Sequence, residues 1–112
     1  MRGAYNLTDF QIDANVLSQP GAYILVNSSN ISVYVGRADS DLNARLKDHL
    51  PRNENNICIK RSGAVNFYFE NTSSTKDAYA LECDWYHRYR HTCNIPHPGK
   101  SSINWFCPIC GL

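Results

Sequence analysis

The run Gly21-Ala22-Tyr23-Ile24-Leu25-Val26, the tetrapeptide Asn27-Ser28-Ser29-Asn30 and the run Ile31-Ser32-Val33-Tyr34-Val35-Gly36 decide how this chain folds. Both apolar runs are rich in β-branched and aromatic residues, which suit a pleated, half-buried surface. The tetrapeptide between them has turn chemistry, because Asn and Ser side chains bond nearby backbone. Two such strands joined by a turn make a β-hairpin, from about Ala22 to Gly36. Pairing brings Tyr23 and Tyr34 onto one small sheet, near glycines that let another backbone approach.

Downstream of the hairpin, Leu42, Leu46 and Leu50 recur four residues apart and predict a helix. Asp39 or Ser40 can cap it, and Pro51 stops it. Arg52 to Asn56 reads as an Asn-rich loop, and Ile57 to Lys60 as a short extended piece or irregular connection. Val65-Asn66-Phe67-Tyr68-Phe69-Glu70 alternates, with Val65, Phe67 and Phe69 on one face, and predicts a third strand. The cluster Asn71 to Thr75 offers a cap for a long helix to about His91, with Ala78, Leu81, Trp85 and Tyr89 as its apolar stripe. Residues 1 to 19 show no strong period and read as a lead-in, with Asp9 to Ile12 a helical turn or strand. The expected fold class is α+β: a small three-stranded antiparallel sheet packed with helices in the order β-β-α-β-α. All 112 residues are expected to form a single domain.

Eleven Lys plus Arg stand against ten Asp plus Glu, so bulk charge announces no nucleic-acid partner. The bases Arg37, Arg45, Lys47, Arg52, Lys60 and Arg61 nevertheless gather between residues 37 and 61, interleaved with Asp39, Asp41, Asp48 and Glu54. No run has signal-peptide layout or could span a bilayer, which predicts a soluble, cytoplasmic protein without membrane contact. Five cysteines, an odd number, argue against a disulfide framework and point to metal or reduced thiols.

After the hairpin come Arg45 and His49, one turn apart on a helix, then Glu82 on a second helix and Asn94 twelve residues later. This ordered set resembles the GIY-YIG nuclease domain over roughly Gly21 to Asn94. Ala22 and Val35 stand where isoleucines name the motif, and both replacements are apolar. The resemblance implies a metal-dependent endonuclease hydrolysing DNA phosphodiester bonds. It makes Tyr23 the group that activates or orients water and places Tyr34 in the same pocket. A phenol titrates near pH ~10, so it needs nearby positive charge from Arg45, Arg37 or a metal. Arg45 would grip the phosphate with its planar fork; otherwise it is a solvated partner of Asp41 or Asp48. His49 would relay a proton, hold the phosphate or orient Tyr23; otherwise it is a helix-end histidine favoured by the dipole. Glu82 flanks the apolar stripe, where a carboxylate needs a partner, and the resemblance makes that partner Mg2+ or Mn2+. Asn94 would bond a phosphate or brace the site; otherwise it only ends the helix.

The tail, residues 95 to 112, carries Cys107-Pro108-Ile109-Cys110-Gly111, one knuckle of a structural zinc site. Its other half is expected from Cys83 and His87, one helical turn apart on the face opposite the stripe, with Cys93 and His97 as the alternative pair. With Cys83 and His87 the tail folds back on the last helix and closes a tetrahedral Zn2+ site; Cys93 and His97 would lie in a loop held stiffly by Pro96 and Pro98. A non-catalytic, zinc-stabilised nucleic-acid-binding module and a zinc-stabilised protein-interaction domain are the competing readings. RNA as substrate, sequence or structure specificity and oligomeric state stay open.

Overall fold

Strand β2 (Gly21–Val26) is the middle of the sheet, and all six of its residues are buried. In the computed structural model, which describes residues 1–89, 91–94 and 97–112, β2 pairs antiparallel with β3 (Ser32–Ala38) on one side and β4 (Asn66–Asn71) on the other. A further strand, β1 (Arg2–Asn6), pairs with β4, giving four antiparallel strands in the order β1-β4-β2-β3. The hairpin turn is stabilised by Asn27, whose Oδ1 accepts from Ser29 N and Ile31 N, and by Asn30 in the left-handed region at φ 61°.

Alternation along β2 explains its burial. Ala22, Ile24 and Val26 face α4 (Thr75–Arg88) and pack with Val35 and Trp85. Tyr23 and Leu25 face the other way, into a core with Phe67, Phe69, Leu42, Leu46 and Leu50. That second face is covered by α1 (Asp9–Asn15), α2 (Leu42–Lys47) and α3 (Ile57–Ser62). A strand buried on both faces must be apolar at nearly every position, as this one is.

The observed order adds three elements to the expected β-β-α-β-α, at two places. Residues 2–15 form β1 and α1, because Leu7, Ile12 and Val16 bury against the core although they make no clear period. Residues 57–62 are helical: Asn56 caps α3 by accepting from Ile59 N, and Gly63 ends it at φ 70°. The cap of α2 is Asp41, whose side chain accepts from Ala44 N, and not Asp39 or Ser40. Helix α4 is capped by Ser74, within the expected cluster, but stops at Arg88, with Tyr89 extended. Cys58 on α3 and Cys93 beyond α4 are joined by a disulfide, with Cα atoms 5.7 Å apart. That bond corrects the expectation of metal-bound or reduced cysteines only. The helical course of residues 57–62 is what brings the two together. No helix among the described residues is long and apolar enough to cross a membrane.

Candidate active site

Tyr23 and Gly36 are register partners across β2 and β3. A Cβ at Gly36 would lie 2.5 Å from Tyr23 Cζ and 2.8 Å from Tyr34 Cε2, so glycine is the residue that lets both phenols sit here. Tyr23 has no exposed surface, and the two rings lie 6.2 Å apart between centroids. Burial pushes the Tyr23 phenol above its ordinary titration range, and the Arg45 charge pulls against that shift. Tyr34 is shifted the same way for the same two reasons.

Leu46 and Leu50 bury the inner side of the segment around α2, and that burial turns His49 inward. Its Nε2 lies 2.6 Å from the Tyr23 hydroxyl, and its Nδ1 lies 2.5 Å from Glu54 Oε2. Glu54 also accepts from Asn56 N at 3.0 Å. A carboxylate only accepts, so Nδ1 carries the hydrogen and Nε2 is left to accept from the Tyr23 O–H. Burial lowers the His49 pKa below the usual histidine value, and the Glu54 carboxylate opposes this. His49 and Glu54 are both buried. Glu54 sits in the Asn-rich loop, where no periodicity or motif marks it.

Tyr34, Arg45 and Glu82, from β3, α2 and α4, line one cavity of about 550 Å³. β3 is an edge strand of the sheet, which is how a helix on one face and a helix on the other reach the same opening. His49 and Glu54 line an adjoining cavity of about 340 Å³ that shares Tyr34 and Arg45. Arg45 is loosely paired with Asp48 at 3.4 Å. Glu82 Oε1 accepts from Arg37 Nη1 at 2.8 Å, and Arg37 also pairs with Asp39 at 2.8 Å. Burial raises the Glu82 pKa while the Arg37 guanidinium holds it down. A largely buried carboxylate that opens on the cavity is the kind of oxygen donor a divalent metal takes, with Arg37 the cation such a metal would displace. The basic cluster is largely neutralised: besides Arg37 and Arg45, Lys47 pairs with Asp13 and Arg52 with Asp9.

Asn94 uses both ends of its amide on one residue. Its Nδ2 donates to Val35 O at 2.8 Å and its Oδ1 accepts from Val35 N at 2.7 Å. Cys93 N donates to Val33 O just before it, so residues 92–94 cover the open edge of β3. These two bonds tie Asn94 to β3 beside Tyr34.

In the tail, the ligand atoms of His87, His97, Cys107 and Cys110 all lie within 4.8 Å of one another. The expected set held Cys83 in place of His97. Cys83 is instead wholly buried with Tyr79 and Cys107, under Trp105; the tail itself covers the helix face on which Cys83 was expected to be open. Cys93, of the alternative pair, is in the disulfide. One histidine from each candidate pair thus joins the knuckle. The expected run of the helix through Arg90 and the loop at Ile95 and Pro96 lie outside the described residues.

A family model described as the GIY-YIG catalytic domain matches residues 19–94. The chain belongs to the GIY-YIG family. It is similar to UvrABC system protein C of Clostridium tetani, 33% identical over 91 residues, which cover 78% of this chain and 14% of that protein. The Shewanella piezotolerans protein of the same name is 32% identical over 97 residues, or 85% of this chain and 15% of that protein. The chain therefore spans about a seventh of the relatives it matches. Among solved structures, the magnesium-bound N-terminal GIY-YIG endonuclease domain of UvrC from Thermotoga maritima superposes with a TM-score of 0.61. Its identity is 24%, covering 75% of this chain and 96% of that domain, and at that level the likeness shows a shared fold. This GIY-YIG chain thus has an α+β fold, with four strands where three were expected.

Proposed function

We propose that this domain hydrolyses DNA phosphodiester bonds with a divalent metal at Glu82. The observation that carries the reading is the convergence of Tyr34, Arg45 and Glu82 on one cavity, with Tyr23 held behind them by His49. The Arg45 guanidinium binds the non-bridging phosphate oxygens and offsets the charge gained in the transition state. Tyr34 aligns the attacking water at the cavity wall. The water's proton goes to the Tyr23 oxygen as Tyr23 passes its own hydroxyl hydrogen to His49 Nε2, where the Glu54 carboxylate stabilises the imidazolium. The water oxygen bonds to phosphorus, the bond from phosphorus to the leaving sugar oxygen breaks, and that oxygen takes up a proton from solvent. Mg2+ or Mn2+ held by Glu82 would supply charge neutralisation at the phosphate and leaving oxygen.

This line of three side chains answers the objection that a phenol is too weak a base. Tyr23 never has to exist as a free phenolate, because the hydrogen leaves for a neutral imidazole during the step. Catalytic contacts tighten when substrate binds, which is compatible with a fully covered Tyr23 in the substrate-free chain. Kinship with UvrABC system protein C supports DNA as the polymer and repair as the setting. A structural Zn2+ in the tail is the second metal of this reading and takes no part in hydrolysis.

Plasmid nicking with Mg2+, Mn2+ and chelator tests the reading. Tyr23→Phe and Glu82→Ala should each abolish metal-dependent cleavage while leaving the fold intact by circular dichroism. Full activity retained in both variants would overturn it.

A further inference from the structure

We propose that His87, His97, Cys107 and Cys110 bind one Zn2+ tetrahedrally, and that this ion fixes the C-terminal tail as one wall of the active-site groove. The ligand set deepens the structural-zinc reading above, and only the effect on the groove rests on the nuclease reading.

Geometry carries the ligand assignment. Around a tetrahedral Zn2+, neighbouring sulfur and nitrogen ligands lie roughly 3.3–3.8 Å apart. Cys110 Sγ and His97 Nε2 are 3.4 Å apart, and no pair in the group exceeds 4.8 Å. A contraction of about 1.5 Å at most would therefore close the site. The His97 ring is already oriented as a ligand, with its Nδ1 3.0 Å from Pro98 O. A carbonyl can only accept, so Nδ1 holds the hydrogen and Nε2 presents a bare lone pair toward Cys110. The knuckle is formed too, with Gly111 N donating to Cys107 O at 2.9 Å and Gly111 at φ 77°, which favours glycine. Two thiolates and two neutral imidazoles balance the charge of Zn2+, and an S2N2 tetrahedron is the donor set zinc prefers. Four protein ligands leave no open position, so the role is structural.

What the ion would hold in place follows from the same segment. Trp105, two residues before Cys107, packs on Tyr79 of α4 with centroids 5.4 Å apart. The Arg37 guanidinium lies 5.2 Å from the Tyr79 ring and 5.9 Å from the Trp105 ring. Ser101 accepts from Arg37 Nη2 at 3.2 Å and donates to Asp39 at 3.3 Å. Arg37 is the cation on Glu82. His97, Pro98 and Gly99 also line a cavity with Tyr34, Glu82 and Asn94. The tail thus touches the active site at two points. A segment whose described residues form no helix or strand gains most from a staple that keeps it there.

Metal analysis, X-ray absorption and hydrogen exchange on the full chain test this. The purified chain should hold one zinc, with two sulfur and two imidazole neighbours. Co2+ substitution should give the thiolate charge-transfer bands of two cysteines, weakened in His97→Ala and Cys110→Ser but unchanged in Cys83→Ala. Removing zinc with a zinc-selective chelator should strip exchange protection from the amides of Cys107 and Gly111 while β2 and β3 keep theirs, and should cut Mg2+-dependent nicking at least tenfold. Absence of bound zinc, a three-sulfur shell that admits Cys83, or unchanged protection after zinc removal would overturn the proposal. Zinc bound as described in a chain that never cleaves DNA would instead sink the nuclease reading and leave the metal site standing.

Discussion

The Tyr23 hydroxyl and His49 Nε2 are 2.6 Å apart, and Glu54 holds the other ring nitrogen at 2.5 Å. In the proposed reaction the pair works only while His49 is neutral, since a protonated Nε2 cannot accept. Burial lowers the His49 pKa below 6.5, with Glu54 pulling it back up. The base is therefore available above that lowered value and lost as pH falls through it. The acid limb of the kcat profile should lie below pH 6.5. Glu54→Gln removes the opposing charge, so that limb should move to still lower pH while the plateau falls on the order of 100-fold. A limb that stays in place in Glu54→Gln would separate Glu54 from the reaction.

Gly36→Ala tests how tightly the two phenols are set. The added methyl would sit 2.5 Å from Tyr23 Cζ and 2.8 Å from Tyr34 Cε2, a clash with ring atoms inside the core. Overpacking of this kind costs about 1–3 kcal/mol, and the displaced rings should lower kcat on the order of 100-fold. Urea melts and single-turnover nicking measure the two effects. An unchanged melt with normal turnover would show that the rings have room to spare.

Periodicity places Tyr23, Tyr34, Arg45 and Glu82 on strands and helices, but it is the ordered set resembling the GIY-YIG domain that singles them out, and the structure brings Tyr34, Arg45 and Glu82 to one cavity. Glu54 is not legible, because it lies in a loop of asparagines and reaches His49 only after Leu50 turns the chain. Arg37 stands in the sequence as one charge among several. Its grip on Glu82 depends on β3 and α4 meeting at the sheet edge, a tertiary fact. The first nineteen residues hide β1 and α1 for a different reason: β1 is mostly exposed at the sheet's outer edge, so no alternation marks it. Cys83 misleads because helix counting assumes an open face, and the tail covers that face.

If Glu82 holds the metal as proposed, Arg37 competes with it for the same carboxylate. Burial already raises the Glu82 pKa, and the Arg37 charge is what opposes the rise. Arg37→Met removes that opposition, so Glu82 should protonate at a higher pH than in the parent chain. Metal binding needs the ionised carboxylate, and is therefore lost at a higher pH on acidification of the variant. Above that range the variant should bind Mn2+ more tightly, having lost a repelling cation. Electron paramagnetic resonance titrations of Mn2+ from mildly acidic to mildly basic pH read both effects. Equal affinity and equal pH dependence in the two proteins would mean that Glu82 is not the metal's ligand.

Asn94 and Val35 form a closed pair of hydrogen bonds at 2.7 and 2.8 Å, on the strand residue between Tyr34 and Gly36. Val35 is buried, so deleting the amide leaves a peptide N–H and C=O without partners at the edge of the sheet. Each unsatisfied buried group costs about 1–3 kcal/mol, and Asn94→Ala should lose stability in that range. Asn94→Asp keeps an acceptor for Val35 N–H but sets a carboxylate against Val35 C=O, so it should be no better than alanine. If Asn94 acts by holding β3, both variants should lower kcat through Tyr34 and leave KM for DNA nearly unchanged. A direct phosphate contact would instead raise KM, most of all in the aspartate variant, where a negative charge would face the backbone of the substrate.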